Sequence, residues 1–334
     1  MLEVDGGEGG GQLVRSALAL SMLDGEAVEI TDVRGTRPTP GLKPQHLTAV
    51  SAAAEVCDAA VEGADGGSET IRFKPAAPSG GRYEADIGTA GSLTLLFDTF
   101  LPLATQIDEP LTITATGGTD VKWSPPIAYY RTVKLPLLRR LGIAAAVECE
   151  KTGFYPAGGG RATLRLWPST LSPIELTERG RPTTARVYSK ASTDLADGDV
   201  VERQADTATD ALAGLGIEVV HHRTTYAATE SSGSVVTVRV DAGGSPVGFG
   251  LRRPREVRRG RGSGDHGRDP PVARVRRGRR RSPRRPVAGL SRPRGRRDHD
   301  PARHRPRVIE SRPARRLRAG SDRRRVRSDA CARR

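Results

Sequence analysis

The sequence has few cysteines and no long hydrophobic run, and both absences exclude classes of protein. Cys57, Cys149 and Cys331 are odd in number and show no C-x-x-C spacing, so neither a disulfide framework nor a zinc site is predicted. No stretch approaches the roughly 18 apolar residues that a membrane span needs, and Glu3 and Asp5 lie where a signal peptide would be basic. The sequence therefore predicts a cytoplasmic protein without a membrane segment.

Residues 251–334 contain no aromatic residue, Lys, Thr, Asn or Gln. They carry 32 Arg and 8 acidic residues, a net charge of +24, whereas residues 1–250 carry a net charge of −9. A segment so poor in apolar residues cannot build a core, and we predict that this basic tail is disordered. Its Arg runs would bind any polyanion without sequence preference. They lack the interleaved aromatic residues of proteins that bind single-stranded nucleic acid.

The first 170 residues repeat one order of predicted elements with a period of about 79. Each pass predicts a helix, a strand, a loop, a second helix and two closing strands. In the first pass these are Gln12–Met22, Ala27–Val33, Arg34–Pro44, Gln45–Ala59, Thr70–Lys74 and Tyr83–Ile87. In the second they are Leu93–Leu103, Leu111–Ala115, Gly117–Pro126, Ala128–Leu141, Ile143–Cys149 and Arg161–Leu166. Such α/β layers bury one sheet face under helices, so stacked units would share a core.

A different pattern begins near Thr177. It predicts a small α/β domain with the strands Thr184–Ser189, Glu218–Val220 and Val235–Val240 and the helix Asp199–Leu215. The predicted fold class is α/β, with α+β layers. Residues 1–177 would form two repeated units, residues 178–250 the small domain, and residues 251–334 the basic tail.

A glycine-rich loop between Asp5 and Arg15 leads into the first predicted helix. Glycines let backbone N–H groups approach an anion closely, and the helix start adds positive potential. Glu8 and Gln12 can hold a metal or a hydroxyl group, and Arg15 can reach a phosphate one turn further on. The spacing fits neither the Walker nor the Rossmann motif, so a flexible turn remains the alternative.

Cationic and polar side chains fill the equivalent loop after the next strand. They are Arg34, Arg37, Lys43, Gln45 and His46, in a loop that three prolines stiffen. A rigid cationic loop suits phosphate binding because its ordering entropy is already reduced. A solvated basic loop is the alternative interpretation.

Three further loops are rich in small residues: Gly88–Ser92, Gly117–Asp120 and Gly153–Gly160. The first can present N–H groups to an anion at a helix start, and the second, followed by Trp123, can cover a base or a ribose. Turn geometry without any ligand contact explains each loop equally well. The adjacent pair His221-His222 predicts no metal site, because strand neighbours point to opposite faces and no third ligand is near.

Taken in order, these motifs resemble the RNA 3′-terminal phosphate cyclase family. The matching segments are D-G-G-E-G-G-G-Q at Asp5–Gln12, R-S-A-L-A-L-S at Arg15–Ser21, R-x-x-R-x-x-P-G-L-x-x-Q-H at Arg34–His46, I-G-T-A-G-S at Ile87–Ser92, G-G-T-D at Gly117–Asp120 and G-F-Y-P-A-G-G-G at Gly153–Gly160. The resemblance covers residues 1 to 250, with a looser match in the small domain. It implies repeated units of a four-stranded sheet with two helices, plus a small inserted domain.

The resemblance also implies a reaction and its participants. ATP, with a divalent metal (Mg²⁺ or Mn²⁺), would adenylylate a histidine, and the AMP would pass to an RNA 3′-terminal phosphate. The neighbouring 2′-OH would then attack to give a 2′,3′-cyclic phosphate and release AMP. This order is chemically reasonable, since the anhydride supplies a good leaving group and the adjacent hydroxyl has a high effective molarity.

By the same resemblance, matched residues acquire expected roles. Glu8 would be a metal-site carboxylate. The RNA end, the nucleotide phosphates or both would be held by Gln12, Arg15, Arg34, Arg37, Gln45 and His46. Asp98 occupies the position at which the family has a glutamine that contacts ATP. The substitution makes a contact of residue 98 with the nucleotide a weaker expectation than the other roles.

The tail departs from the family. The family's histidine nucleophile and its preceding L-A-D-Q segment belong to a third unit, and neither is found after Gly250. His266, His299 and His304 lie in Arg/Pro-rich sequence and cannot be equated with the nucleophile. We therefore interpret the tail as a frameshifted reading of the third unit and expect an inactive cyclase.

Two alternatives remain at this point. One is a non-catalytic RNA-binding relative that acts in RNA processing, similar to the family's ribosomal-RNA-processing branch. The other is a transferase with the repeated-unit architecture of enolpyruvyl transferases, which the R-x-x-R-x-x-P-G-L-x-x-Q-H loop disfavours. The sequence does not predict the oligomeric state.

Overall fold

The computed structural model describes residues 1–173 and 180–242, together with the backbone of residues 249–252. These residues form three four-stranded mixed sheets with helices between the strands, which confirms the predicted fold class. The predicted disorder of the basic tail concerns residues outside this description. In the described part of the chain, no helix has the length and apolar character needed to cross a membrane.

The first unit is a sheet covered on one face by two helices. Its elements are β1 (Leu2–Asp5), α1 (Gly11–Asp24), β2 (Val28–Thr31), α2 (Pro44–Cys57), β3 (Ala60–Glu62) and β4 (Ile71–Lys74), with the sheet order β1-β2-β4-β3. Alternate side chains of β4 are buried, Ile71 and Phe73 among them, as expected for a strand with one covered face. On the other face Arg72 forms ion pairs with Glu29 and Glu62.

The second unit repeats this order. Its elements are β5 (Gly81–Asp86), α3 (Leu93–Phe100), a 3-10 turn (Leu101–Thr105), β6 (Leu111–Gly117), α4 (Ile127–Tyr129), a π-helical turn (Tyr130–Lys134), α5 (Leu135–Arg140), β7 (Ala145–Lys151) and β8 (Gly160–Leu166). The sheet order is β5-β6-β8-β7, with β5 parallel to β6 as β1 is to β2.

One strand was assigned to the wrong unit by the sequence analysis. The strand predicted at Tyr83–Ile87 does not close the first sheet; it is β5, which pairs with β6 and opens the second. The first unit instead begins with β1 and ends with the antiparallel pair of β3 and β4. These strands of four and three residues are too short to show a period of two, which is why β1 and β3 were missed.

The helix predicted at Ala128–Leu141 is interrupted by the π-helical turn. Pro136 has no backbone N–H to donate to the carbonyl oxygen of Thr132, four residues earlier. Arg239 Nη1, from the small domain, lies 3.3 Å from that oxygen and supplies a donor. Pro136 is therefore the local cause of the interruption. The carbonyl oxygen that it leaves without a backbone donor accepts from a side chain of the small domain.

The two units share one core, as predicted. Helices α1, α2 and α3 contact one another, and a single cluster of buried side chains runs through both units. Its largest fully buried members include Leu18, Met22, Phe73, Phe97, Phe100 and Tyr130.

The small domain has a sheet and a core of its own. Its elements are β9 (Pro182–Ser192), a 3-10 turn (Thr193–Gly198), α6 (Val200–Ala213), β10 (Glu218–Ala227), β11 (Ser234–Ala242) and β12 (Phe249–Arg252), with the sheet order β10-β9-β11-β12. The core under α6 contains Val187, Ala205 and Leu212. The strand predicted at Glu218–Val220 extends to Ala227, and β12, which the sequence analysis missed, includes the first two residues assigned to the tail.

Ion pairs between described residues connect the small domain to the second unit, and they differ in burial. Lys190 Nζ lies 3.0 Å from Asp120 Oδ2, and this carboxylate is completely buried. Lys151 Nζ lies 2.8 Å from Glu230 Oε1, and both of these side chains are about half exposed. The first pair therefore replaces water around a buried charge, whereas the second remains solvated.

Candidate functional site

The two loops that follow β1 and β2 lie at one edge of the first sheet, because these strands are parallel. The loops are joined directly. The backbone N–H and the hydroxyl of Thr36 both donate to the carbonyl oxygen of Gly7, each at 3.0 Å, and Arg34 N–H donates to the Gly6 carbonyl at 3.2 Å. The glycine-rich loop and the cationic loop thus form one continuous surface.

His46 lies at the centre of this surface and is buried. Its Nδ1 accepts a hydrogen bond from Lys43 N–H at 3.1 Å. Burial, together with the positive charges of Arg34, Arg15 and Lys43, lowers the pKa of His46 to about 4. The ring is therefore neutral at pH 7, with the proton on Nε2. That nitrogen faces the start of α1 so closely that a Cβ at Gly11 would overlap it.

Arg15 and Arg34 lie near His46, and Arg37 lies near Arg34 and Gly10. Burial lowers the pKa of Arg15, while the nearby Asp98 carboxylate opposes the shift. Arg34 Nη1 donates to the carbonyl oxygens of Thr39 and Gly41, each at 2.9 Å, and so shapes its own loop. Arg37 is exposed, and its Nη2 lies 3.3 Å from the position that a Cβ on Gly10 would take. We call Arg15, Arg34, Arg37 and His46 the phosphate cluster, because their donors suit an anion.

Gln12 and Glu8 are both exposed beside this cluster. The Gln12 amide oxygen lies next to Gly10, close to Arg37. Among the described residues, no three His, Cys, Asp or Glu side chains converge in a way that could hold a metal ion. Glu8 can supply one carboxylate to a metal ion. A single carboxylate binds a metal ion weakly unless other oxygen ligands are present.

Asp98 lies close to Arg15 but already has two donors. Its Oδ1 accepts from the Tyr130 hydroxyl at 2.7 Å and from Lys134 Nζ at 2.5 Å. Burial raises the pKa of Tyr130, and the Asp98 charge raises it further, so the phenol stays protonated and keeps donating. Tyr130 and Lys134 could not be predicted from the sequence as partners of Asp98, because this contact depends on how α3 packs against the helical segment after β6.

Gln45 connects the two units. Its Oε1 accepts from Ser92 N–H at 3.2 Å, while its Nε2 is buried and has no hydrogen-bond partner within the described structure. At the same helix start, Leu93 N–H donates to the Gly118 carbonyl and Leu95 N–H to the Ser92 hydroxyl. These N–H groups are used within the protein, which favours the turn interpretation of Gly88–Ser92 over anion binding.

The loop Gly153–Gly160 packs against the loop Gly117–Asp120. The Gly153 carbonyl accepts from the N–H groups of Thr119 and Asp120, and Gly153 N–H donates to the Thr119 hydroxyl at 3.0 Å. Phe154 is buried beside Gly233 of the small domain. This loop therefore joins three parts of the chain, and turn geometry explains its glycines.

A cavity of about 450 Å³ opens beside Gln45. Its walls include Gln45, Ser92, Leu95, Lys122, Trp123 and Tyr155. Trp123 and Tyr155 are 78% and 54% exposed, and Lys122 Nζ lies 5.9 Å from the centre of the Tyr155 ring. Trp123 was predicted to lie in a loop that can cover a base, whereas Tyr155 belongs to the matched segment Gly153–Gly160, for which no ligand role was predicted.

A sequence model of the RNA 3′-terminal phosphate cyclase family matches residues 6–290. The chain belongs to this family. The resemblance seen in the motifs is therefore confirmed, and the cyclase match continues past residue 250 into the segment that we assigned to the basic tail.

Curated cyclases show the same relationship. The RNA 3′-terminal phosphate cyclase of Halobacterium salinarum is 44% identical over 265 residues, which are 76% of this chain and 76% of the relative. The cyclase of Archaeoglobus fulgidus is 40% identical over 259 residues, 77% of this chain and 78% of the relative. That of Pyrobaculum neutrophilum is 46% identical over 218 residues, 64% and 62% of the two chains.

Proposed function

We propose that the chain binds RNA ending in a 3′-phosphate, and that the phosphate cluster holds this group. The proposal is carried by one observation: a neutral His46, with its Nε2 proton beside the glycine-rich loop, lies near Arg15 and Arg34, and Arg37 lies beside Arg34 and Gly10. A terminal phosphate carries a charge between −1.5 and −2 at pH 7 and has three acceptor oxygens, which this donor set matches.

We further propose that the site is that of the ATP-dependent conversion of a 3′-phosphate to a 2′,3′-cyclic phosphate, with AMP and diphosphate as the other products, and that this chain retains the binding step of that reaction. ATP supplies the adenylyl group that turns a phosphate oxygen into a leaving group. The guanidinium groups would hold the oxygens of the terminal phosphate and so orient its phosphorus toward the 2′-OH. This proposal places the protein in the cytoplasm, where ATP and RNA are both present.

The described residues fit the phosphates of ATP better than they fit a preformed metal cage. Gln12 and Gln45 would add amide contacts to the phosphate cluster, and Asp98 would accept from a hydroxyl or an amino group. Glu8 would be a protein ligand of Mg²⁺ or Mn²⁺. A single carboxylate is compatible with Mg²⁺, which keeps several waters and is often held largely by substrate phosphates.

The histidine nucleophile is not assigned to any residue of this chain. Because no L-A-D-Q segment occurs in residues 251–334, we propose that the chain binds RNA ends but does not complete the reaction. The same feature supports the second candidate function, a non-catalytic RNA-binding cyclase-like protein in RNA processing.

Binding of matched RNA oligonucleotides tests the proposed function. The full chain should bind an oligonucleotide with a 3′-phosphate more tightly than the same oligonucleotide with a 3′-OH. Non-specific binding by the Arg-rich residues contributes equally to both RNAs and cancels in the ratio. Arg37→Ala should reduce the preference by roughly 1 to 3 kcal/mol, because a charge-assisted hydrogen bond is lost.

Arg72→Ala is the matched control, since Arg72 is paired with Glu29 and Glu62 on the outer face of the first sheet. It should leave the preference unchanged. Equal binding of the two RNAs by the parent chain would contradict the proposal.

The nucleotide sequence tests the interpretation of the tail. We expect a shift of reading frame near codon 250, since the 84 tail residues are close in number to the repeat period. In a GC-rich gene, reading Arg303–Val308 one base later can give Val-Thr-Asp-His-Val, which restores a histidine. Reading Val287–Arg294 in this way can give an apolar run such as Tyr-Leu-Ala-Leu-Ala. An unbroken frame without an L-A-D-Q-like segment in the alternative frame would instead support an evolved basic tail.

A further inference from the structure

The sheet of the small domain has two different faces. Side chains alternate along β9, so Ala185 and Val187 are buried under α6 and the residues between them lie on the opposite face. The register of β10 and β11 with β9 adds residues from both neighbouring strands to this opposite face. We call it the basic face, and its cationic and ring side chains are Arg186, Tyr188, Lys190, His221, Arg223 and Arg239.

Positive charge is in excess at the centre of the basic face. Arg186 and Arg239 share one carboxylate, that of Asp241, with Arg239 Nη2 at 2.7 Å from its Oδ1. Arg223 is exposed, and none of the residues that the structure describes forms an ion pair with it. Glu218, the other acid of this face, lies at the end of β10. The centre of the face is therefore cationic, although residues 1–250 together carry a net charge of −9.

Aromatic rings lie within this cationic surface. The ring centres of Tyr188 and His221 are 5.8 Å apart, and the two rings are tilted by 55°. His221 is exposed and Tyr188 is half-buried, while Arg223 lies directly across from Tyr188 on β10. Proteins bind single-stranded RNA with this combination, because bases stack on rings and guanidinium groups hold phosphates. A four-stranded sheet is one of the frameworks on which they present it.

The basic face is connected to the phosphate cluster through one loop of the second unit. Lys190 Nζ, on this face, binds Asp120 in the loop after β6. The same loop pairs with Ser92, whose N–H donates to Gln45, the residue before His46. An RNA strand whose 3′-phosphate lies at the cluster can cross this loop, so the nucleotides that precede its 3′ end can reach the basic face.

We propose that the basic face binds the single-stranded RNA that precedes the 3′ end, with bases stacked on Tyr188 and His221 and a phosphate held by Arg223. This inference rests on the proposed function, because it takes the phosphate cluster as the position of the 3′ end.

RNA length separates this surface from the phosphate cluster. Affinities of the full chain are measured for a 3′-phosphorylated dinucleotide and for a 3′-phosphorylated single strand of about ten nucleotides, which is within the site sizes of single-strand binders. Tyr188→Ala should weaken binding of the longer RNA by roughly 5- to 150-fold and leave the dinucleotide unchanged. Arg223→Ala should reduce the slope of log K against log salt concentration by about 0.7 for the longer RNA. The Arg-rich residues bind RNA equally in parent and variants, so their contribution cancels.

Two variants provide controls. Tyr188→Phe keeps the ring and should retain most of the affinity for the longer RNA. Arg203→Ala removes an exposed arginine from α6, which covers the other face of the same sheet, and should change neither affinity nor salt slope. Losses in Tyr188→Ala that are equal for the dinucleotide and the longer RNA would overturn the inference.

Photocrosslinking of the unaltered chain gives a second measurement that does not depend on the folding of a variant. A longer RNA with 4-thiouridine at an internal position should crosslink to peptides that contain Tyr188 or His221. Crosslinks confined to residues 253–334 would overturn the inference.

The terminal group of the RNA separates this inference from the proposed function. The loss in Tyr188→Ala should be the same factor for RNAs ending in 3′-phosphate and in 3′-OH, since the basic face binds preceding nucleotides. Equal binding of the two ends by the parent chain, with the loss in Tyr188→Ala retained, would contradict the proposed function and support the basic face as an RNA site. A retained preference for 3′-phosphate without that loss would overturn this inference alone.

Discussion

Lys190→Ala is expected to lower the free energy of unfolding by about 3 to 5 kcal/mol, because it leaves the completely buried carboxylate of Asp120 without its positive partner. The remaining donors to this carboxylate, the Thr119 hydroxyl and Ile127 N–H, are neutral and cannot replace the charge. Urea denaturation of the full chain, followed by circular dichroism, measures the change.

Lys151→Ala is the matched control, since it breaks the exposed pair with Glu230 that also connects the small domain to the second unit. This variant should lower the free energy of unfolding by no more than about 1 kcal/mol. The double variant Lys190→Ala/Asp120→Asn should recover part of the loss, because the buried charge is then absent. Similar decreases in the free energy of unfolding for Lys190→Ala and Lys151→Ala would show that the burial of Asp120 does not determine the strength of the Lys190–Asp120 pair.

Incubation of the chain with α-labelled ATP and Mg²⁺ or Mn²⁺ is expected to leave it without covalently bound label. The reaction would require a histidine nucleophile, and the tail places its histidines in Arg/Pro-rich sequence without the family's L-A-D-Q segment. Denaturing gel electrophoresis at neutral to alkaline pH, followed by autoradiography and with RNA absent, measures any adduct.

A chain re-encoded so that residues after Gly250 follow the alternative frame is the positive control and should become labelled. Acid-labile label on the chain as written that disappears in His304→Ala would contradict the prediction. That result would identify His304 as the nucleophile and make the tail part of the active site.

The helices α1 and α2 were predicted well because each is a long segment rich in apolar residues and bounded by glycine or proline. The predicted helix Gln12–Met22 lies within α1, and Gln45–Ala59 overlaps nearly all of α2. Short strands carry little signal, so β1, β3 and β12 were missed and β5 was placed in the wrong unit. Pairing between strands decides such assignments, and it depends on contacts that are distant in the sequence.

The loops of the candidate site could be predicted, but their detailed chemistry could not. Glycine, proline and arginine in the loop Arg34–Pro44 indicated a rigid cationic surface. The low pKa of His46 depends on its burial against Gly11 and on charged neighbours from α1 and from the cationic loop. The unpartnered amide of Gln45 likewise arises only when the units pack together.

The buried pair of Lys190 and Asp120 has a consequence for synthesis of the chain on the ribosome. The two residues are 70 positions apart, and the contact of Arg239 with Thr132 spans 107. Domains generally fold from the N-terminus as they emerge, so the second unit is exposed before β9 has been made. During that interval the Asp120 carboxylate, which lies at the start of the loop that carries Trp123, lacks its lysine partner. The Trp123 loop is therefore completed late, after translation has passed the small domain.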